Sequence, residues 1–231
     1  MIRAILFDFN GVLVDDEPIH LELFQRVFGE EGIELTSERY YRELLGFDDR
    51  DCFRAVLRSV GEEATVQRVA GLIDRKARYY RERIEEGGVP FFPGAAELVG
   101  GAIEAGLMLG VVSGALRWEV ESALLQANLL AGFKILVTAE DVTAGKPSPQ
   151  GYVRGLEGMN VLPPLPERIV HPHEVIAIED SPAGLQAARD ASLVTVAVGH
   201  TYERELLSGA DLIVDRIREL DLERLMRLPL S

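Results

Sequence analysis

The amino-acid sequence predicts an α/β protein with a doubly wound, mainly parallel sheet and an inserted helical cap domain. Short apolar runs recur along the chain and are separated mostly by helix-like segments. One long interval, residues 16–89, contains no strand-like run and has a helical pattern throughout. Small, basic or acidic residues follow several of the apolar runs, as expected where parallel strands end at a ligand crevice.

The apolar runs define the strands. They cover residues 2–7, 107–112, 134–137, 175–178, 193–198 and 212–214. Strands that alternate with helices form a mainly parallel sheet with helices on both faces. One helix, predicted over residues 95–105, follows Pro93 and ends before Gly106, and another is predicted over residues 148–158. The proline-rich stretch 159–173 predicts an irregular loop before the fourth strand.

The long interval without strands predicts a separate domain. Its helices are expected over residues 18–31, 37–45, 51–60 and 62–86. We therefore predict a core domain of residues 1–15 and 90–231 and a helical cap domain of residues 16–89. The Asp15-Asp16 loop and the glycine-containing segment 87–90 would be its hinges. The alternative is a set of extra helices packed rigidly against the sheet.

The composition is that of an ordinary globular protein. Of 231 residues, 47% are hydrophobic, which is ample for a core, and the formal charge is −14. An acidic protein repels phosphate backbones and anionic lipids, so we expect neither nucleic acid nor membrane as a partner. The single cysteine, Cys52, fits a reducing compartment, and no signal peptide is evident. We expect a cytoplasmic protein, and a monomer suits a cap that must move.

Chemically active residues stand at the carboxyl ends of the predicted strands. They are Asp8 and Asn10 after the first strand, Ser113 and Gly114 after the second, Lys146 beyond the third, and Glu179 and Asp180 after the fourth. Because ligands bind outside the carboxyl ends of parallel strands, we expect these side chains to share one crevice. Each residue alone has an ordinary structural explanation as a turn or surface group. Their common position at strand ends favours a site.

The carboxylates in this set suit a metal-assisted phosphoryl transfer. Asp8 is the candidate nucleophile. Mg²⁺ prefers hard oxygen ligands, which Asp8, Asp180 and the main-chain carbonyl of Asn10 would supply. Glu179 would either bind the metal directly or contact the residues that bind it. The sequence therefore predicts a magnesium site built around Asp8.

The remaining residues suit the phosphoryl group itself. Ser113, the amide of Gly114 and the Lys146 ammonium would bind its oxygens. Lys146 would also keep Asp8 ionised through its opposite charge. Only three of the 24 basic residues are lysines, so a lysine within a motif is the more informative.

The motifs that carry these residues resemble those of the haloacid dehalogenase (HAD) superfamily of hydrolases. They are DFNGVLVD at residues 8–15, VVSG at 111–114, GKPSP at 145–149 and IEDSPAG at 178–184, with DDEPIH at 15–20 and FPG at 92–94 flanking the cap. The chain is most similar to the helical-cap group, which contains β-phosphoglucomutase and phosphoglycolate phosphatase. The resemblance implies a Rossmann-like core and an aspartyl-phosphate intermediate on Asp8. It also implies Mg²⁺ held by Asp8, the Asn10 carbonyl and Asp180, with phosphate contacts from Ser113 and Lys146.

Asn10 departs from this pattern, because phosphatases of the family usually have aspartate at the equivalent position. An aspartic acid there would donate a proton to the leaving alkoxide, whereas an amide has no transferable proton. Positioned acid–base catalysis is typically worth about 10² to 10⁴ in rate, so we expect slow turnover of alkyl phosphates. A leaving group that needs no proton would be affected less. Because Gly11 follows, Asn10 is also prone to deamidation, which would place an aspartate in a fraction of the molecules.

The predicted cap offers weaker candidates for substrate contacts. His20 lies on the first cap helix near the hinge and is as well explained as a surface residue. Sugar-phosphate mutases resembling this chain have basic residues in the loop 44–50 for a distal phosphate. Here Leu45 and Asp49 cannot take that role, and Arg50 is the only cation of the loop. We therefore expect a mutase acting on bisphosphates to be disfavoured.

Three other activities stay open beside a phosphatase of a small phosphorylated metabolite. A carbon–halogen hydrolase expels halide without a proton, but gains nothing from the Glu179-Asp180 pair. A phosphate-binding regulatory module with little turnover is compatible with Asn10. Phosphonate cleavage through a cap lysine would need Lys76, which is predicted on the last cap helix and away from the first one.

Overall fold

The computed structural model describes residues 1–45, 47 and 49–228. The chain forms two compact units. The larger unit is Met1–Asp15 with Val89–Ser231, and the smaller is Asp16–Gly88. The predicted boundary lay one residue later, after residue 89. A hydrogen bond from Asp15 N–H to the Pro90 carbonyl, 2.9 Å, lies within the larger unit and helps to explain why the chain near Pro90 belongs there.

The larger unit contains a sheet of six parallel strands over the part of the chain that is described. The strands are β1 (Ala4–Phe7), β2 (Met108–Val112), β3 (Phe133–Val137), β4 (Val175–Glu179), β5 (Val194–Val198) and β6 (Leu212–Val214). Their order is β3-β2-β1-β4-β5-β6, and every neighbouring pair is parallel. The predicted α/β class is confirmed. Because β2 and β4 flank β1 on opposite sides, the carboxyl end of β1 lies at the switch point where a crevice forms.

The smaller unit is entirely helical over the residues described. Its elements are α1 (Glu17–Glu30), α2 (Ser37–Arg39), a π-helical turn (Tyr40–Leu44), α3 (Asp49–Ser59) and α4 (Val66–Gly87). The prediction started the last helix at residue 62. The helix instead begins after Thr65, whose hydroxyl accepts a hydrogen bond from Arg68 N–H over 3.2 Å and caps it. Phe24 and Phe28 both pack against Phe53, with ring centroids 5.1 Å apart, in the core of this unit.

Helices of the larger unit connect its strands. They are α5 (Ala95–Glu104), α6 (Arg117–Gln126), α7 (Gln150–Val161), α8 (Pro182–Asp190) and α9 (Leu222–Met226), with 3₁₀ turns at Leu130–Gly132, Ala139–Asp141, Pro172–Glu174, Arg204–Leu207 and Ile217–Glu219. Residues 159–161, predicted as loop, continue α7. The Asn160 side chain lies at this helix end and donates to the carbonyls of Leu156 and Val170 over 3.1 and 3.0 Å. Among the residues described, no helix combines the length and the apolar character needed to cross a membrane.

Candidate active site

Asp8 follows the buried strand β1 at the switch point of the sheet. All four residues of β1 are buried, and Asp8 N–H donates to the Ile178 carbonyl of β4 over 2.9 Å, so the backbone of Asp8 continues the ladder. The chain then turns sharply, since Gly11 has φ +75° and its N–H donates to the Val14 carbonyl over 3.0 Å. This turn fixes the backbone that follows Asp8 and Asn10 at the end of the strand.

Lys146 joins the end of β1 to the end of β4. Its Nζ lies 2.6 Å from Asp8 Oδ1 and 2.6 Å from Glu179 Oε1. Burial alone would lower the pKa of Lys146, but the Asp8 and Glu179 carboxylates raise it above its ordinary value. Lys146 therefore lies as a cation between two carboxylates. The sequence predicts its contact with Asp8 but not its contact with Glu179.

Three buried carboxylates meet at this point. Asp8, Glu179 and Asp180 each place an oxygen within 4.8 Å of the others, and Glu179 is fully buried. Burial and the neighbouring Glu179 raise the pKa of Asp8 to about 7. Burial, and then Asp8 and Glu179, raise the pKa of Asp180 well above its ordinary value. Lys146 opposes this rise and lowers the pKa of Asp8, so the expectation that Lys146 favours the ionised form of Asp8 stays a prediction.

A divalent cation fits this set of carboxylates. One lysine cannot balance three carboxylates, and hard oxygen donors within a few ångströms of one another are what Mg²⁺ binds. Two glycines leave the room that the carboxylates need. A Cβ on Gly11 would lie 2.0 Å from Asp180 Oδ2, and a Cβ on Gly184 would lie 2.0 Å from Glu179 Oε2.

Ser113 and Gly114 lie at the end of β2, next to Asn10. The Ser113 hydroxyl donates to Asn10 Oδ1 over 3.4 Å and accepts a hydrogen bond from Ala115 N–H over 3.0 Å. Ser113 is buried and Gly114 is exposed, with no heavy atom within 4 Å of the position a Cβ would take on Gly114. The predicted site residues of the larger unit are thus brought together at the carboxyl ends of β1, β2 and β4.

Two further residues contact the site, and neither was predicted from the sequence. Tyr152 is fully buried on α7, and its hydroxyl donates to Glu179 Oε1 over 2.5 Å. Thr201 follows β5 and hydrogen-bonds the Asp180 side chain. Both had a sequence signal, because Tyr152 ends the GKPSPQGY segment and Thr201 follows a predicted strand, as the other site residues do.

The smaller unit has a polar cluster of its own around Lys76. Lys76 is buried, 2% exposed, and its Nζ lies 2.6 Å from Asp49 Oδ1 and 2.9 Å from His20 Nδ1. The other ring nitrogen of His20, Nε2, lies 3.0 Å from Asp16 Oδ2, and Tyr80 stacks on the imidazole with centroids 5.1 Å apart. His20 is therefore part of a packed network and not an isolated surface residue.

This cluster corrects two expectations about the cap. Lys76 was expected away from the first cap helix, but α1 and α4 pack together and place Lys76 against His20. Arg50 was expected to be the only cation near the loop 44–50, yet Lys76 contacts Asp49 from α4. Arg50 itself is exposed on α3. Gly46 and Asp48 of the predicted loop lie outside the described residues.

Comparison with proteins of known sequence agrees with the geometry. A sequence model of the haloacid dehalogenase-like hydrolases matches residues 5–198. Protein CbbY of Rhodobacter capsulatus is 32% identical over 217 residues, which cover 91% of each chain. Validoxylamine A 7'-phosphate phosphatase of Streptomyces hygroscopicus subsp. limoneus is 29% identical, covering 95% of this chain and 96% of the relative.

Solved structures of CbbY are also similar to this chain. CbbY from Rhodobacter sphaeroides in complex with phosphate has a TM-score of 0.78 at 27% identity, covering 95% of this chain and 96% of that one. A mutant of the same protein with asparagine in place of an aspartate, in complex with xylulose-(1,5)bisphosphate, has a TM-score of 0.78 at 28% identity with the same coverage. The fold, the family match over most of the chain and the relatives agree. This chain belongs to the haloacid dehalogenase-like hydrolase family.

Proposed function

We propose that this hydrolase is a Mg²⁺-dependent phosphatase of small phosphorylated sugars that uses Asp8 as its nucleophile. The observation that carries the proposal is the contact of Lys146 with both Asp8 and Glu179 beside a cluster of three carboxylates. The names of relatives support the substrate class. They include the validoxylamine phosphatase and a phosphorylated carbohydrates phosphatase of Thermotoga maritima that is 26% identical over 193 residues.

The proposed reaction has two displacements at phosphorus. The Asp8 carboxylate attacks phosphorus, the bond between phosphorus and the sugar oxygen breaks, and the leaving alkoxide takes a proton from water as the aspartyl phosphate forms. Water then attacks phosphorus, the bond between phosphorus and the Asp8 oxygen breaks, and inorganic phosphate and the free carboxylate result. Lys146 stabilises the negative charge on the transferred group and orients Asp8. Mg²⁺ bound by Asp8, Asp180 and the Asn10 carbonyl, with Glu179 as a ligand or behind them, would neutralise phosphoryl oxygens.

Asn10 limits which substrates can react. Its amide can donate a hydrogen bond to the leaving oxygen but cannot transfer a proton to it. Loss of a positioned acid costs about 10² to 10⁴ in rate for leaving groups that need the proton. We therefore propose an enzyme that hydrolyses sugar phosphates slowly and activated phosphates faster.

A second candidate function is a phosphate-binding module with little turnover, which Asn10 favours. The structurally similar CbbY mutant that holds a bisphosphate also has asparagine in place of an aspartate. A carbon–halogen hydrolase is disfavoured, because that chemistry has no use for three buried carboxylates. Within the smaller unit, the Asp49 carboxylate neutralises the charge of Lys76. The cytoplasmic location and monomeric state expected from the sequence stay predictions.

A screen of sugar monophosphates tests the proposal. Phosphate release is measured with and without Mg²⁺ for the wild type, Asp8→Asn and Asn10→Asp. We expect slow, Mg²⁺-dependent release by the wild type, faster release by Asn10→Asp and none by Asp8→Asn. Phosphate-dependent binding without hydrolysis by either the wild type or Asn10→Asp would support the binding module instead.

A further inference from the structure

His200 follows β5 and contacts three other segments of the larger unit. Its Nδ1 lies 2.9 Å from the Gly11 carbonyl oxygen, and its Nε2 lies 3.1 Å from Ile217 N. Its ring stacks on Phe92, with centroids 3.8 Å apart and planes 23° apart. Nothing in the sequence motifs of the family resemblance includes this residue.

The two hydrogen bonds assign the proton on the imidazole. A main-chain N–H can only donate, so Nε2 must accept from Ile217 and carries no proton. The proton then lies on Nδ1, which donates to the Gly11 carbonyl. Burial lowers the pKa of His200 and the hydrogen bond to the Gly11 carbonyl opposes this, while Arg216 lowers it and Asp15 and Glu219 raise it, with a lower pKa as the net effect. Because Nε2 accepts a hydrogen bond and Nδ1 donates one, the geometry requires the neutral imidazole with its proton on Nδ1.

The backbone conformation at Gly11 depends on contacts from other residues, because glycine has no side chain that could restrict it. A Cβ would collide with Asp180 and would contact Thr201 Oγ1 at 3.0 Å, so only glycine fits. Glycine, however, has the widest conformational freedom of any residue. The Gly11 N–H is held by the Val14 carbonyl, and the Gly11 carbonyl is held by His200. Both peptide groups of the turn that follows Asn10 are thus fixed.

We propose that His200 is a positioning residue that holds the Asn10-Gly11 turn, and through it the Asn10 carbonyl, in the orientation that the metal site needs. The role of the Asn10 carbonyl as a metal ligand belongs to the proposed function, on which this inference rests. Outer groups that orient metal ligands typically contribute 10- to 100-fold to metal affinity or activity.

A pair of substitutions separates the two hydrogen bonds. In His200→Asn the side-chain amide stands where Nδ1 stands and can still donate to the Gly11 carbonyl, but no group reaches Ile217. In His200→Gln the amide reaches the position of Nε2 and Ile217, but nothing replaces Nδ1. Phe92→Leu is the matched control, because it removes the ring stacking and leaves both hydrogen bonds in place.

Mg²⁺ affinity is measured by calorimetry without substrate, and kcat and KM are measured with an aryl phosphate. We expect His200→Gln to weaken Mg²⁺ binding about tenfold and to lower kcat with little change in KM, while His200→Asn and Phe92→Leu stay near the wild type. Equal losses in the Asn and Gln variants, or no loss in either, would overturn the inference. Because Mg²⁺ binding needs no turnover, this result is independent of whether the wild type is a phosphatase.

Nitrogen-15 NMR of the wild type gives a readout that needs no variant. The imidazole shifts of His200 should report a neutral ring with the proton on Nδ1 at neutral pH. A ring protonated on Nε2 would contradict the contact with Gly11 and the inference with it, even if His200→Gln failed to fold.

Discussion

The hydroxyl of Tyr152 donates a hydrogen bond to Glu179 Oε1 over 2.5 Å, inside the fully buried base of the site. The same oxygen lies 2.6 Å from Lys146 Nζ, which also stands 5.6 Å from the centroid of the Tyr152 ring. The Tyr152 hydroxyl therefore orients the Glu179 carboxylate, and the Tyr152 ring packs near the Lys146 ammonium. A buried carboxylate with a satisfied oxygen keeps one orientation.

Tyr152→Phe removes this donor and leaves the ring in place. We expect Mg²⁺ affinity to fall about tenfold, because Glu179 loses one of the groups that orient it. Calorimetric titration of Mg²⁺ measures the effect. Tyr79→Phe is the control, since its hydroxyl bonds the surface residue Glu30 over 2.8 Å and should leave Mg²⁺ binding unchanged. Unchanged affinity in Tyr152→Phe would exclude this supporting role.

Gly184→Ala tests the space beside Glu179. Alanine in a helix is ordinarily favoured over glycine by about 1 kcal/mol. Here the added methyl would lie 2.0 Å from Glu179 Oε2, so we expect lower stability and weaker Mg²⁺ binding. Gly100→Ala in α5 is the matched helical change, because nothing lies within 4 Å of the added methyl there. Thermal unfolding should distinguish the two, and equal melting temperatures would contradict the crowding at Gly184.

Glu174 gives a pH-dependent contribution to stability outside the site. Its carboxylate accepts hydrogen bonds from Arg168 at 3.0 and 2.5 Å and from His171 N–H at 3.0 Å. The Arg168 guanidinium, and then the His171 amide, lower the pKa of Glu174 to about 2 from 4.5. A carboxylate with a lowered pKa stabilises the fold fully above its unfolded pKa. That stabilisation is lost as the pH falls from about 4.5 through about 2.

Glu174→Gln should therefore destabilise the protein at pH 7 and have a shrinking effect as the pH falls. We expect a loss of about 1 to 2 kcal/mol at pH 7, because Glu174 is buried but solvent screens its exposed partner Arg168. Denaturant unfolding at pH 7, 5, 4 and 3 measures it. Glu223→Gln, in an exposed pair with Arg227, is expected to change little at any of these pH values. A constant difference from pH 7 to 3 would show that the ion pair is not its source.

Deamidation of Asn10 is opposed by the structure. The reaction requires the Gly11 nitrogen to attack the Asn10 side chain, but Gly11 N–H donates to the Val14 carbonyl and its carbonyl accepts from His200. We expect peptide mass mapping of freshly folded protein to find asparagine at this position. A gain of about one dalton there in native protein would mean that the turn opens readily.

The core of this protein can be predicted well from the sequence, because its strands are runs of apolar residues and reactive side chains follow their carboxyl ends. Asp8 and Asp180 follow the neighbouring strands β1 and β4, so their meeting follows from the strand order. Lys146 lies in the segment after the edge strand β3 and reaches them from there. Tyr152 and His200 could not be assigned in this way. Tyr152 follows a motif and His200 follows a strand, but Tyr152 acts from the buried face of α7 and His200 acts through a main-chain carbonyl, so their residue types alone do not indicate these roles.

The cap was harder to predict than the core. Helical periodicity located its segments, but the pairing of helices decides which side chains meet. Lys76 and His20 are 56 residues apart in sequence and 2.9 Å apart in space. The capping by Thr65 likewise outweighs the helical pattern of the residues before it. Tertiary packing and local capping, not periodicity, set these details.

The dependence of turnover on the leaving group tests the central claim most directly, namely that Asp8 chemistry proceeds here without a proton from residue 10. Hydrolysis of a series of aryl and alkyl phosphates is measured for the wild type and Asn10→Asp with saturating Mg²⁺. We predict a steep fall in wild-type kcat/KM as the leaving-group pKa rises, and a nearly flat dependence in Asn10→Asp. The gap should reach about 10² to 10⁴ for alkyl phosphates. Equal slopes in the two proteins would contradict the account.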